Sequence, residues 1–294
     1  MNIVITGSLG NISKPLTEEL INKGHSVTVI SSDPLKQKLI QDIGAKAAIG
    51  SLTDINFLIH SFTGVDAVYC MIPPNYTHPN QIGYYKSIGK AYQQAILKSG
   101  VKRVVVLSSY GAHLPSGTGF IEGAYHVEQI LNAVPNIILT HLRPTFFYYN
   151  LLAFVDMIKS AGFIGSVYGG EARLTMVSPQ DIAMALAEEL VKTKNIEKIR
   201  YVSSDERTCS EVASVIGKAI GIPDLKWLIL PEEDVLSALK SHGMTEESAN
   251  KLIELGKAIH TGKLREDYDL HTHALGNVKL EDYAVEFARI YNSK

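Results

Sequence analysis

The chain has 294 residues, a length that by itself suggests about two domains. Its 46% apolar and 20% charged residues are the balance of an ordinary globular protein, which excludes disorder, collagen and a coiled coil. Twenty-eight basic against thirty acidic side chains leave a formal charge of −2, with no electrostatic footprint for direct nucleic-acid or anionic-membrane binding.

The first half alternates between two periods. Asn2-Ile3-Val4-Ile5-Thr6 is a short apolar run ended by Gly7, and a helix follows to about Lys23, stopped by Gly24. Ser26-Val27-Thr28-Val29-Ile30 is a second strand, rich in β-branched residues. A helix over 35–43, a strand over 46–49 and a helix over 54–62 come next, the last opened by Asp54. A fourth strand covers 66–72 and stops at Pro73-Pro74. Ile82, Tyr85, Tyr92 and Ile96 mark the inner face of a long helix ended by Gly100. The run 101–107 is read as one more apolar strand on its stretch Val104-Val105-Val106-Leu107, as in strands buried on both faces of a parallel sheet. One more helix and a strand over 136–141 complete the series.

Strands alternating with helices of about 10–15 residues give a parallel sheet covered on both faces. The expected fold class is therefore α/β: a doubly wound parallel Rossmann sheet over residues 1–150. Beyond Leu142 the regularity weakens. Ser178-Pro179-Gln180-Asp181 starts a helix, and Thr208-Cys209-Ser210-Glu211 is a capping box for another. Strands near 198–203 and 225–230 and helices over 232–242, 245–262 and 280–291 fill a smaller α/β C-terminal lobe, 151–294. No Gly-, Ser- or Pro-rich linker separates it, so it is expected to be interleaved with the first domain. Two cysteines, Cys70 and Cys209, make neither a disulfide framework nor a zinc site. No apolar run approaches the ~20 residues of a bilayer span, and no leader-like segment precedes the first strand. The expected location is cytoplasmic, with no membrane contact.

The segment Gly7-Ser8-Leu9-Gly10-Asn11-Ile12 lies between the first strand and the first helix, where a dinucleotide loop belongs. The first glycine permits the tight turn, the second lets backbone approach a pyrophosphate, and the helix start offers N–H groups and a favourable dipole. The third glycine position holds Ser13. The competing reading is a purely structural turn. The second strand ends at Ser31, Ser32 and Asp33. No carboxylate stands at Ser31 or Ser32, while Lys36 and Lys38 are near, so NADP(H) is favoured over NAD(H). The alternative is a solvated helix start with Asp33 as its cap. Met71 and Ile72, at the end of the fourth strand, are expected to edge the cofactor cleft.

In order and spacing, several short segments resemble the NmrA-like branch of the atypical short-chain dehydrogenase/reductase superfamily over nearly the whole chain. They are Thr6-Gly7-Ser8-Leu9-Gly10, Ser32-Asp33-Pro34, Gly64-Val65-Asp66-Ala67-Val68, Val104-Val105-Val106-Leu107-Ser108-Ser109, Leu142-Arg143-Pro144-Thr145-Phe146-Phe147, Asp181-Ile182-Ala183 and Leu280-Glu281-Asp282-Tyr283. The resemblance implies NAD(P) binding, most often NADP, and either a quinone- or azo-reductase activity or a redox sensor acting on a protein partner. It also implies a serine, a tyrosine and a lysine four residues later. Ser109 or Ser108 would polarise a carbonyl, and Tyr125 would donate the proton, but Gln129 stands at the lysine position and supplies no charge. The stretch from Pro144 through Phe147 would lie over the nicotinamide end, its aromatics stacking on a flat substrate or packing as core.

His113 and His126 are further candidates near the same site. His271-Thr272-His273 has no carboxylate–histidine pattern around it, so no metal site is expected. Three functions follow: a reductase delivering hydride from NADPH to a flat or carbonyl small molecule; a non-catalytic NADP(H) sensor regulating a protein; and a nucleotide-sugar epimerase, which the missing lysine disfavours.

Overall fold

The structure is a computed structural model, and it describes residues 1–75, 78–271 and 274–293. The strands are β1 (Asn2–Ile5), β2 (Ser26–Ser31), β3 (Lys46–Ile49), β4 (Ala67–Cys70), β5 (Arg103–Leu107), β6 (Ile138–Pro144), β7 (Phe146–Phe147), β8 (Ile164–Ser166), β9 (Arg173–Val177), β10 (Ile199–Val202), β11 (Asp205–Thr208) and β12 (Trp227–Ile229). The helices are α1 (Ser13–Asn22), α2 (Lys36–Asp42), α3 (Ile55–Phe62), α4 (Gln81–Ser99), α5 (Ile121–Asn132), α6 (Val155–Ala161), α7 (Pro179–Val191), α8 (Cys209–Ala219), α9 (Glu232–Ser241), α10 (Glu246–His260) and α11 (Leu280–Ser293).

Seven strands form one sheet in the order β10-β6-β5-β4-β1-β2-β3. The pairs β1–β2, β2–β3, β1–β4, β4–β5 and β5–β6 are all parallel. The central strands are buried along their length: every residue of β4 and Val104, Val105 and Val106 of β5 are inaccessible to water. That is why these runs read as continuously apolar. The connection direction reverses between β1 and β4, so the switch point of the doubly wound sheet lies at their carboxyl ends, where such sheets bind ligands. One core on this sheet joins Val4, Ile30, Val68 and Val104 to Leu58 and Phe62 of α3 and Tyr92 and Ile96 of α4. Phe62 stacks on Tyr92 with ring centroids 6.4 Å apart. Each such side chain contributes about 1.5–3 kcal/mol on burial.

The chain divides into two compact units. The first holds residues 1–112, 123–143 and 182–200; the second holds 113–122, 144–181 and 201–294. The second contains a three-stranded sheet, β11-β9-β7, and a parallel pair, β12-β8. Its buried Trp227 donates from Nε1 to the Tyr168 carbonyl (2.8 Å) and meets the rings of Phe154 and Tyr168. The capping box read from the sequence is formed: Thr208 Oγ1 accepts the Glu211 N–H, and Glu211 accepts the Thr208 N–H.

Several strand limits differ from the sequence reading by one to three residues, and two of them have a local reason. Strand β6 starts at Ile138 because Asn136 takes a left-handed φ of +58, which is a turn and not a strand conformation. It then runs on to Pro144. Strand β4 ends at Cys70 because the Met71 N–H leaves the ladder for the Thr6 hydroxyl.

Candidate functional site

The loop from Thr6 to Ile12 leaves β1 at the switch point. Thr6 locks its start: its N–H donates to the Tyr69 carbonyl (3.1 Å), and its Oγ1 accepts the Met71 N–H (2.8 Å). Gly7 lies at φ +95, and a Cβ there would sit 2.6 Å from Ser13 Oγ and 2.9 Å from Met71 Cγ. Only glycine meets both demands. Ser13, at the third glycine position, is buried and donates from Oγ to the Thr6 carbonyl (2.9 Å). Ser8, also left-handed at φ +55, donates its N–H to Ile30 O and its hydroxyl to Ser31 Oγ (3.0 Å each).

Gly10 is exposed, and a Cβ on it would meet only the Gly7 carbonyl, at 3.1 Å. Helix α1 begins without a side-chain cap, and among the described residues no acceptor meets the N–H groups of Asn11 or Ile12. Uncapped donors at a helix start, with an open flank and the positive end of the dipole, suit a pyrophosphate. The residues present therefore fit a dinucleotide.

At the end of β2 the Ser31 hydroxyl is fully engaged. It accepts from Ser8 and from the Asp33 N–H (3.2 Å), and it donates to the Asp33 carbonyl (3.3 Å). Ser31 therefore ties the glycine loop to β2. Ser32 is exposed. Asp33 accepts the Leu35 N–H on Oδ1 (2.9 Å), so its carboxylate opens the turn into α2. Lys38 pairs with Asp42 at 2.7 Å, whereas Lys36 has no ion pair among the described residues.

Beyond β4, half-buried Met71 flanks Gly7, and its carbonyl accepts the Tyr92 hydroxyl (2.6 Å). Burial pushes that phenol well above its ordinary pKa, so it stays a donor. Ile72 is buried next to it in sequence. Beyond β5, Ser108 is buried and donates from Oγ to Glu128 Oε1 (2.5 Å). Glu128, on α5, accepts Nε and Nη2 of Arg143 at 2.9 and 2.7 Å, a bidentate pair with both side chains 4% exposed. Ser109 is half-buried and donates only to the neighbouring Tyr110 carbonyl (3.1 Å). Tyr125 is half-buried with its ring edge-on to His126, and Gln129 is exposed. Among the described residues no hydrogen bond joins Tyr125 to Ser109 or Gln129.

Glu128 is the residue that sequence reading missed. Two signals were present. It falls four residues after Ala124 and three before Leu131, both buried, so it faces inward. Arg143 also interrupts an apolar strand and requires a buried counter-charge. Near this pair, His141 Nε2 meets Asn132 Oδ1 (3.0 Å), and burial holds the imidazole pKa down to about 4.

In the second unit Pro144 is buried and Phe147 is half-buried, its ring 5.1 Å from that of Tyr149. Tyr148 belongs to the core: it stacks on Tyr283 at 5.0 Å and donates to the Val278 carbonyl. Asp181 joins two sequence motifs. It accepts the Ser204 hydroxyl (2.5 Å) and the N–H groups of Asn277 and Val278, and so fixes the segment leading into α11. His113 is half-buried. Lys251 bridges Glu122 and Glu254 at 2.9 Å each. A groove of about 370 Å³ beside it is lined by Gly117, Glu232, Asn250, Lys257 and Lys263 among others. His271 is described, whereas Thr272 and His273 lie outside the described residues. Among the described residues no three His, Cys, Asp or Glu side chains stand together as a metal site, and no helix is long and apolar enough to cross a membrane.

Comparison with known proteins bears on this geometry. Residues 1–283 match the NmrA-like family. The (4-alkanoyl-5-oxo-2,5-dihydrofuran-3-yl)methyl phosphate reductase of Streptomyces griseus subsp. griseus is 24% identical over 222 residues, 75% of this chain and 74% of that one. A nucleoside-diphosphate-sugar epimerase from Staphylococcus aureus superposes with a TM-score of 0.77 at 15% identity, covering 97% of this chain and all (100%) of that one. An NADPH-dependent quinone oxidoreductase from Escherichia coli, solved with NADPH, superposes with a TM-score of 0.74 at 19% identity, covering 97% of this chain and 99% of that one. At these identities the two structures are likenesses of fold.

Proposed function

The chain belongs to the NmrA-like family, and from that premise we propose that it is an NADP(H)-dependent oxidoreductase acting on a flat, quinone-like or carbonyl-bearing small molecule. The observation that carries this reading is the loop before α1, where the open flank of Gly10 meets the uncapped N–H groups of Asn11 and Ile12. Gly7, Ser8, Leu9, Gly10, Asn11 and Ile12 would hold the pyrophosphate. Ser32 and the ammonium of Lys36, which has no ion pair among the described residues, suit a ribose 2′-phosphate, and one oxygen of Asp33 is engaged by the Leu35 N–H. Met71 and Ile72 border the switch point. Ser109 and Tyr125 offer hydroxyls to the substrate. When bound, the nicotinamide nucleotide supplies the hydride. The names of the Streptomyces reductase and the Escherichia coli quinone oxidoreductase point the same way.

A second reading, an NADP(H) sensor acting on a protein partner, is favoured by one observation: exposed, uncharged Gln129 leaves Tyr125 without an ammonium partner. An epimerase would need that ammonium, so it ranks last. The assay is NADPH oxidation by the purified chain with a benzoquinone and with an aliphatic ketone. Turnover of the quinone supports the reductase. Tight NADPH binding with no oxidation by either class would replace it with the sensor.

A further inference from the structure

We propose that Glu128, backed by Arg143, is a positioning residue that turns the hydrogen of the Ser108 hydroxyl into the protein and leaves only its lone pairs for a ligand. Ser108 is then an acceptor for a donor on the nucleotide, a ribose hydroxyl or the carboxamide N–H, and not a donor to a developing oxyanion. The inference rests on the reading above, that a nicotinamide nucleotide lies along the carboxyl ends of β1, β4 and β5.

The argument is a count of hydrogens. A serine hydroxyl has one hydrogen and two lone pairs. The hydrogen of Ser108 goes to Glu128 Oε1 at 2.5 Å, the short range of a hydroxyl on a carboxylate. Arg143 directs Nε and Nη2 at the two oxygens of the same carboxylate, which holds Glu128 as an acceptor at both. The side chain of Ser108 cannot swing away without stripping a donor from a buried carboxylate. Its backbone is held as well, because the Ser108 N–H donates to the Leu142 carbonyl at 2.8 Å.

Ser108 has open space beside it. Ser108 and Glu128 line a small cavity with Ile72 and Tyr85, about 10 Å³, the room of a single water. The next residue supplies the contrast. Ser109 is half-buried and gives its hydrogen to the neutral carbonyl of Tyr110 at 3.1 Å, an acceptor that a substrate oxygen replaces at less cost than the carboxylate that holds Ser108. The adjacent serines thus differ in polarity, and the carboxylate on α5 sets the difference.

The test uses the full chain, titrated with NADPH by fluorescence and assayed with a benzoquinone. For Ser108→Ala the expected result is an NADPH Kd raised about fivefold, the worth of one neutral hydrogen bond, with the loss in kcat/KM carried by the KM for NADPH. Ser108→Thr keeps the hydroxyl and should recover most of the affinity. Glu128→Gln should raise Kd by a similar factor, and the double variant should be no worse than either single one, because both remove the same contact. A purely structural role would not separate KM from kcat.

Should Glu128→Gln fail to fold, the Ala and Thr variants at Ser108, which leave the ion pair intact, still decide the matter. A Ser108→Ala loss falling on kcat at unchanged Kd, or no effect on either, overturns the proposal and leaves the reductase reading standing. A wild-type chain that binds neither NADPH nor NADP⁺ overturns both.

Discussion

Ser31 and Asp33 lie at the end of β2, where the proposed nucleotide would meet the sheet, and both already bond within the chain. The Ser31 hydroxyl is consumed by Ser8 and Asp33, and the Asp33 carboxylate caps the turn into α2. One oxygen of Asp33 is held by the Leu35 N–H, whereas among the described residues the ammonium of Lys36 has no ion pair. One charge-assisted contact is worth about 1.5–3 kcal/mol, so NADPH should bind about tenfold or more tightly than NADH, and Lys36→Met should narrow the gap. Competitive titration of the two nucleotides in one buffer checks this; tighter binding of NADH would point to Asp33 as the ribose acceptor. At Tyr125 the question is proton supply. A quinone carries hydride as an oxyanion that water can protonate, while an aliphatic ketone depends on a positioned acid. Tyr125→Phe should therefore lower ketone turnover about tenfold further than quinone turnover. Equal losses with the two substrates would show that Tyr125 serves both.

Elements are held here by buried charge as well as by apolar packing. Arg103 of β5 donates to the backbone carbonyl and the carboxylate of Glu189 on α7 and to Thr140 of β6, and Glu189 also receives Arg200 of β10. The Glu189 side chain has no exposure and that of Arg103 only 6%, and burial pulls the guanidinium pKa down from its usual value. Removing one partner strands the other, which typically costs about 3–5 kcal/mol. Glu189→Ala should lower the urea midpoint accordingly at an unchanged slope, and a shift below about 1 kcal/mol would show the network to be dispensable. Strands β1, β2, β4 and β5 were legible in the sequence because a strand buried on both faces is a run of apolar residues. Strands β7, β8 and β9 and helix α6 were not: two to seven residues do not establish a period, and their pairing is fixed by distant partners such as Asp205 opposite Met176. The caps at Ser178 and Thr208 were legible because a cap is a local bond.

For the whole molecule, His141 ties stability to pH. Burial is the main cause holding its pKa at about 4 in the folded chain, against an ordinary value of 6.5. The unfolded chain therefore binds the proton first as pH falls. The stability from keeping His141 neutral is complete above about pH 6.5 and is lost progressively down to about pH 4, up to about 3 kcal/mol. Urea midpoints measured across that window should fall for the wild type and fall less steeply for His141→Gln; parallel curves would remove His141 from the account. The site was half legible for the same reason as the fold. The glycine loop is contiguous and announced itself, but the pairing of Ser108 and Arg143 through Glu128 joins three elements, and no spacing rule connects them. The measurement that bears most directly on the whole reading is calorimetric titration of wild type and Gly10→Val with NADPH. A valine would project from a Cβ only 3.1 Å from the Gly7 carbonyl onto the open flank assigned to the pyrophosphate. The account predicts saturable one-to-one binding by the wild type and at least tenfold weaker binding by the variant, whereas equal affinity in the two proteins, or none in the wild type, would contradict it.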